Sequence, residues 1–197
     1  MRVITGSAKG HRLKAPKGMT TRPMLDRVKE ALFSVLEGYR PIRGRVLDLY
    51  AGTGSLGIEC LSRGASWADF VEMRAHVCSI IRDNLEHTRF ADRARVHQLP
   101  VGRYLATAHP PEKYDIILMD PPYADPVIED MIRTVSASGL LADEGLFIVG
   151  HSPRVVLADR YDLMSRRKFR RLGDSCFSIY EVAPESTISD EQAAAEQ

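Results

Sequence analysis

Short apolar runs and longer helical patterns alternate along the chain from Arg45 onward. The apolar runs predict five strands: Val46–Leu49, Trp67–Val71, Arg95–Leu99, Tyr114–Met119 and Leu146–Val149. The helical patterns follow the first four of them: Ser55–Ser62, Ala75–His87, Gly102–Ala108 and Val127–Ser136. This alternation predicts an α/β fold, a doubly wound and mostly parallel sheet with helices on both faces.

The alternation stops after the fifth strand. Tyr161–Arg171 and Cys176–Val182 predict two antiparallel strands joined by the turn Leu172-Gly173-Asp174-Ser175, which brings the sheet to seven strands. The last residues, 184–197, contain four acids, no base and almost no apolar anchor. We therefore expect a domain over residues 41–183 and a disordered acidic tail over 184–197.

The first 40 residues predict a small basic extension made of a hairpin and a helix. Residues 2–15 alternate loosely around Gly6-Ser7-Ala8-Lys9-Gly10, with little apolar content to anchor them. They indicate either a nucleic-acid grip or a frayed terminus. In residues 20–36 the apolar positions fall on one helical stripe, and Arg22, Arg27 and Lys29 are predicted to lie off it.

The net charge of +1 hides a strong asymmetry. Residues 1–45 hold 11 Lys or Arg and three acids, a net charge of +8. Residues 160–172 hold six bases and one acid, a net charge of +5. Two basic segments around a neutral middle indicate a polyanionic partner if they share one face, and otherwise a solvated charged surface.

Composition excludes several classes of protein. The chain has no apolar run near the ~18 residues that span a bilayer and no signal-peptide pattern at its start. Its three cysteines form no Cys-x-x-Cys pair, and its six histidines show no metal-binding spacing. We expect one cytoplasmic domain with no metal and no membrane contact.

The candidate chemistry begins at the loop after the first strand, Asp48-Leu49-Tyr50-Ala51-Gly52-Thr53-Gly54. Gly52, Gly54 and Gly57 have the spacing of a dinucleotide-binding loop, and Glu72 lies where an acid would bind a ribose. Asp48 would repel a pyrophosphate but attract a cationic ligand such as S-adenosylmethionine (SAM). From this stretch alone, SAM, NAD and an empty structural turn all remain open.

A second motif, Asp120-Pro121-Pro122-Tyr123, follows the fourth strand. The prolines lack N–H donors and leave carbonyl groups that can point into a site. Asp120 adds an ionised acceptor, and Tyr123 offers a flat face for stacking a base. Together they can hold an exocyclic amine and aim its lone pair at a methyl group, whereas a rigid strand-to-helix turn is the structural alternative.

These motifs are similar to those of class I SAM-dependent methyltransferases that act on amino groups. Two further stretches, Thr21-Arg22-Pro23 with Arg27–Phe33 and the run Leu56–Ala65, resemble the RsmD family more specifically. Members of that family methylate the N2 amine of a guanine in bacterial 16S ribosomal RNA. The resemblance covers residues 1 to about 183 and leaves out the acidic tail.

The resemblance implies a set of site residues. Those expected at the cofactor are Asp48, Tyr50, Ala51, Gly52, Thr53, Gly54, Glu72, Met73 and Val101. Asp120, Pro121, Pro122 and Tyr123 are expected to grip the guanine as catalytic residues. Two positions depart from the family pattern: Met24 replaces a threonine, and Pro100 replaces an acid near the adenine, which leaves Val101 as the adenine contact.

The expected partner is 16S rRNA or the assembling small ribosomal subunit, bound by a monomeric protein. The residues expected to contact RNA are Arg12, Lys14, Arg22, Arg27, Arg167 and Arg170. Guanine presents two adjacent donors, N1–H and N2–H, which match the two oxygens of Asp120. The alternatives are a DNA adenine-N6 methyltransferase, a non-catalytic rRNA-binding assembly protein and an NAD enzyme.

Overall fold

A computed structural model describes residues 1–16, 26–122 and 128–182 of the chain. The helices are α1 (Asp26–Tyr39), α2 (Ser55–Arg63), α3 (Ala75–Thr88), α4 (Val101–Thr107) and α5 (Ile128–Ala137). The strands are β1 (Arg45–Leu49), β2 (Trp67–Glu72), β3 (Ala94–Gln98), β4 (Tyr114–Met119), β5 (Leu141–His151), β6 (Arg160–Tyr161), β7 (Met164–Leu172) and β8 (Ser175–Val182).

The strands form one sheet in the order β3-β2-β1-β4-β5-β8-β7-β6. Neighbours among β1 to β5 pair in parallel, whereas β8, β7 and β6 pair antiparallel. The order reverses between β1 and β4, so the sheet has its topological switch point there. The predicted α/β class, the parallel half and the antiparallel ending are confirmed.

The prediction of seven strands was wrong, because the described part of the sheet has eight. The predicted strand Tyr161–Arg171 is broken by a tight turn in which Asp162 adopts a left-handed conformation, with φ of +48°. This turn separates β6 from β7, and Arg160 and Tyr161 pair back onto Ser165 and Met164. The sequence there carries no glycine to signal the turn.

Each face of the sheet carries its own apolar core. On the first face, α1, α2 and α3 pack on side chains such as Leu118, Ile148 and Phe177. On the second face, α4 and α5 pack on side chains such as Ile117 and Phe147. The central parallel strands are thus buried on both sides, as continuous apolar runs such as Ile116–Met119 require.

The N-terminal hairpin is anchored, contrary to the expectation of a poorly held arm. Arg2 and Arg12 bridge as a hairpin, and Val3, Ala8 and Leu13 are buried in the core of the first face. The backbone N–H of Ala8 donates to Ser62 Oγ at 3.0 Å. Three apolar residues spaced along a basic segment are therefore enough to hold it against α2 and α3.

Lys29 was predicted off the apolar stripe of its helix, but its side chain is fully buried, with 0% exposed. Its Nζ lies 3.1 Å from Glu59 Oε2 and donates to the Arg2 carbonyl at 2.6 Å. Glu59 also accepts from the backbone N–H groups of Ile4 and Thr5 and from Arg63 Nε. This buried cluster ties α1, α2 and the N-terminal hairpin together.

We expect Lys29→Met to lower the free energy of unfolding by about 3 kcal/mol, because it removes one of the two cationic partners of the buried Glu59 and leaves only Arg63. Urea unfolding would measure the change. The matched control is Lys113→Met, which breaks an exposed pair with Asp143 and should cost less than about 1 kcal/mol. Equal stability of the two variants would contradict a stabilising role for the buried pair.

Candidate functional site

Three acids lie at the carboxyl ends of neighbouring parallel strands. Asp48 is the penultimate residue of β1, Glu72 is the last residue of β2, and Asp120 directly follows β4. They are close enough that the charges of Asp120 and Glu72 raise the pKa of Asp48. The structure thus brings together, at the switch point of the sheet, the residues around which the sequence predicted a site.

The loop after β1 turns sharply to start α2. Tyr50, Gly52 and Gly54 all have positive φ, and Gly54 N–H donates to the Ala51 carbonyl at 2.7 Å. At Gly57 a Cβ atom would lie 2.4 Å from the Phe70 ring, so only glycine lets α2 pack this close to β2. The glycine spacing predicted from the sequence therefore has a physical cause at both ends of the turn.

Asp48 lies beneath this turn and is buried. Its Oδ2 accepts a hydrogen bond from the backbone N–H of Gly57 at 2.9 Å. Burial, with the charges of Asp120 and Glu72, raises the pKa of Asp48 to about 8 in spite of that bond. Such a carboxyl group favours a cationic ligand, which would stabilise its ionised form, and disfavours a pyrophosphate.

Asp120 is partly buried and has unused hydrogen-bonding capacity. Its Oδ1 is buried and has no hydrogen-bond partner among the described residues. Burial raises the pKa of Asp120 to about 7. Gly150 on β5 makes room for it, since a Cβ there would lie 2.2 Å from Oδ1. An acceptor left unpaired at a strand end is a place where a ligand N–H can bind.

The other residues expected at the cofactor surround the same strand ends. Glu72 accepts hydrogen bonds from the backbone and side chain of Arg74, at 3.0 and 3.1 Å. Met73 is 65% exposed beside it, whereas the Val101 side chain is buried in the second core. Because its side chain is buried, Val101 has only its backbone to offer an adenine. Thr53 Oγ1 is turned toward Met1 Sδ at 3.5 Å.

The expected substrate residues are described in part. Pro121 is buried and Pro122 is exposed, next to Asp120. Tyr123 and Arg22 lie outside the described residues, so their roles remain predictions. Arg12, Arg27 and Arg170 are exposed, whereas Lys14 Nζ binds Asp83 and Arg167 Nε binds Glu181.

Part of each basic segment lies on one face of the sheet. The N-terminal hairpin and α1 belong to the core of the first face, together with Phe177 and Ile179 of β8. Arg170 and Lys168 stand opposite Phe177 and Ile179 on β7, so they point to that face as well. Arg166, in contrast, stands opposite Tyr180 and points to the second face, so only part of the second basic segment lies on the face of the first.

Comparison with known proteins gives the same picture. Residues 1–181 match the model of a family described as "Conserved hypothetical protein 95". The chain belongs to this family.

Relatives carry names that agree with the resemblance to the RsmD family, which is confirmed. Over 170 residues, 85% of this chain and 92% of the relative, it is 36% identical to the Bacillus subtilis "Putative rRNA methyltransferase YlbH". Over 149 residues, 76% and 73% of the two chains, it is 36% identical to the Escherichia coli K12 "Ribosomal RNA small subunit methyltransferase D". A solved structure, "Putative methyltransferase yhhF from Escherichia coli", matches with a TM-score of 0.80 and 32% identity, over 92% of this chain and 97% of that one.

Two features of the site were not predicted from the sequence. Asn84 on α3 is buried and donates to the Thr53 carbonyl at 2.9 Å and to the Lys14 carbonyl at 3.1 Å, so it joins the glycine loop to the N-terminal hairpin. Gly150 makes room for Asp120 from a neighbouring strand. Both contacts join residues distant in sequence, and no local pattern announces them.

The described residues of this family member contain no group of three or more His, Cys, Asp or Glu side chains arranged to hold a metal ion. Within the same residues, every helix is too short or too polar to cross a bilayer.

Proposed function

We propose that the protein transfers a methyl group from SAM to the exocyclic N2 amine of a guanine in 16S rRNA of the small ribosomal subunit. The observation that carries the proposal is the Asp120 carboxylate, whose Oδ1 is buried without a partner among the described residues. It follows β4 at the switch point, next to the strand that carries the buried Asp48. Family membership and the names of the relatives support the same chemistry. An rRNA substrate would place the enzyme in the cytoplasm.

The residues around the strand ends fit SAM. Asp48 would hold the positively charged methionine end, and Glu72 would accept hydrogen bonds from the ribose hydroxyls while Met73 covers the adenine. When bound, SAM supplies a methyl carbon already activated by the adjacent sulfonium sulfur. The task left to the protein is to align and orient the acceptor amine.

Asp120 would orient the guanine by accepting N1–H and N2–H on its two oxygens. Held in this way, N2 would keep its lone pair directed at the methyl group that SAM would supply, with the sulfur as leaving group taking the electron pair of the methyl–sulfur bond. N2 then loses a proton to Asp120 or to water. Pro121 and Pro122 would keep competing N–H donors away from the amine, and Tyr123 is expected to stack on a base turned out of the RNA.

At saturating SAM, we expect kcat/KM for RNA to rise as the pH increases from about 5 and to reach a plateau at about pH 7. Only the ionised Asp120 can accept both guanine donors, and its pKa of about 7 without ligand should fall next to a cationic cofactor. Initial methylation rates in buffers of constant ionic strength would measure the profile. A flat profile over this range would contradict the assignment.

The test of the proposal is incubation of the protein with labelled SAM and unmethylated 16S rRNA, naked or in assembling subunits, followed by nucleoside analysis. We expect the label in N2-methylguanosine. Label in N6-methyladenosine would instead favour adenine as the target, since adenine also carries an exocyclic amine. Absence of label with every RNA, despite SAM binding, would favour a non-catalytic rRNA-binding protein.

A further inference from the structure

Within the described part of the chain, strand β7 is a largely open edge of the sheet. Only Met164 and Ser165 pair with β6, and the register with β8 shifts between Arg166 and Lys168 as in a β-bulge. The strand carries the basic run Arg166, Arg167, Lys168, Arg170 and Arg171. Basic side chains and a bulge are common devices that stop an open edge from pairing with other chains.

Phe169 does not fit that protective role. It stands in the middle of the basic run with 48% of its surface exposed. An exposed aromatic ring on an open edge encourages association rather than preventing it. Protection of the edge therefore explains the charges but leaves Phe169 unexplained.

The Phe169 ring is supported from within the protein. Its centroid lies 5.9 Å from that of the His151 ring, tilted by 33°, and the Arg166 guanidinium lies 5.9 Å from it. His151 is buried and its Nε2 lies 3.1 Å from Ser178 Oγ, while burial lowers its pKa. The aromatic surface of Phe169 is thus held in place with about half of it open to solvent.

Phe169 lies near the carboxyl edge of the sheet, where the candidate site is. Gly150, which lies against Asp120, pairs with Phe177, and Phe177 pairs with Arg170. Asp120 and Arg170 are thus in one row across three strand spacings, a distance of about 14 Å. Phe169 is the neighbour of Arg170 on the other face of the strand, within a few nucleotides of a base held at Asp120.

Charges next to Phe169 remain available for phosphate groups. Arg171 lies on the same face of β7 as Phe169, and its Nε donates to the Gly173 carbonyl. Arg170 and Lys168, on the opposite face of this edge strand, have no ion-pair partner among the described residues. Arg166 and Arg167, in contrast, pair with Asp159 and Glu181. Single-stranded RNA is typically bound by such a combination of a stacking ring with cations along the backbone.

We propose that Phe169 stacks on an unpaired base of the RNA that flanks the target nucleotide, while Arg170 and Arg171 bind its phosphates. This proposal rests on the proposed RNA-methyltransferase function and adds a second nucleotide contact outside the reaction centre. Since stacking tolerates any base, the contact would position the RNA and raise its affinity without reading its sequence.

The test compares Phe169→Leu, which keeps an apolar side chain but removes the aromatic face, with Phe169→Trp, which keeps that face. We expect Phe169→Leu to raise both the Kd and the KM for RNA by about tenfold, with kcat and the Kd for SAM within about twofold. Phe169→Trp should restore RNA affinity. The matched control is Leu163→Ala, since Leu163 is 49% exposed just before β7 begins, at the end of that strand away from Phe169.

Fluorescence anisotropy of a labelled 16S RNA fragment keeps this test independent of methyl transfer. An unchanged Kd for RNA in Phe169→Leu would overturn the stacking proposal, even if the wild-type protein methylates RNA. Equal weakening in Phe169→Leu and Phe169→Trp would overturn it too, because it would indicate that the phenylalanine packs against the protein. If the wild-type protein binds the RNA but does not methylate it, that result would count only against the proposed function.

Discussion

Replacing Asp120 with alanine is expected to lower the methyl-transfer rate by about a thousandfold while the Kd for SAM stays within about twofold. Asp120 Oδ1 is buried without a partner among the described residues, so the substitution removes no hydrogen bond that this atom makes to them. What it removes is the acceptor for the guanine N–H groups. Single-turnover methylation of 16S rRNA and calorimetric titration with SAM would measure the two effects separately.

Asp120→Asn refines this expectation. The amide keeps the shape of the carboxylate but replaces one acceptor by an N–H donor, which would face a guanine donor. We expect a loss of about a hundredfold, smaller than that of alanine, because one acceptor remains. The control is Asp143→Ala, at an exposed acid near the amino end of β5, away from the carboxyl ends of the strands where the site lies. Equal loss of SAM binding and methyl transfer in Asp120→Ala would mean that Asp120 belongs to the cofactor site.

Replacing Asp48 with asparagine is expected to weaken SAM binding by about a hundredfold or more, because the buried negative charge that would pair with the cationic ligand is lost. The hydrogen bond from the Gly57 N–H can persist, since an amide oxygen accepts it as a carboxylate oxygen does. The glycine loop should therefore keep its form. Calorimetric titration with SAM would measure the loss.

The same variant should be more stable than the wild-type protein without ligand at about pH 8. The pKa of Asp48 is raised from 3.8 to about 8 in the folded protein. Between these values the unfolded chain is ionised while the folded chain still holds the proton, so wild-type stability falls as pH rises through this window. The amide of the Asp48→Asn variant does not titrate, and the variant escapes the loss, which is on the order of a few kcal/mol.

Urea unfolding of both proteins at about pH 5 and about pH 8 would test this. The stability advantage of Asp48→Asn over the wild-type protein should grow with pH. It should disappear when SAM is added at a concentration that saturates the wild-type protein, because SAM then stabilises only that protein. A variant that is less stable at both pH values would indicate that Asp48 serves mainly to cap the turn. A variant that binds SAM normally would place the cationic end of the cofactor elsewhere.

The sequence predicted best what depends on neighbouring residues. Strand ends at Asp48, Glu72 and Asp120 follow from apolar runs, and the loop follows from Gly52, Gly54 and their local backbone conformation. Because parallel strands end at one edge, local patterns were enough to bring the three acids together. The position of the candidate site was thus predictable before its geometry was known.

Contacts between distant segments were not predictable in the same way. Lys29 belongs to the buried side of α1, since it lies three and four residues before Leu32 and Phe33, but its charge masked that spacing. Its partner Glu59 lies on another helix, and the hairpin that both hold had too little apolar content to indicate burial. Burial of a charge depends on a partner that only the folded chain supplies.

The antiparallel half of the sheet shows the limit of pattern reading. The segment Tyr161–Arg171 is predicted from the sequence as one strand, but the turn at Asp162 and the bulge after Arg166 change which side chains share a face. Because of the bulge, Arg166 and Phe169 lie on one face of β7, whereas Lys168 and Arg170 lie on the other. A single extra residue in a strand exchanges its faces, and a sequence of consecutive arginines carries no sign of it.

The most direct test of the account is a crystal structure of the protein with S-adenosylhomocysteine, the product of methyl transfer. We expect the amino group of the ligand beside Asp48, its ribose at Glu72, and its sulfur facing Asp120 and Pro121 across the ends of β1 and β4. A ligand bound at another edge of the sheet, or a closed turn at Pro121 and Pro122 that leaves no room for a base, would contradict the account.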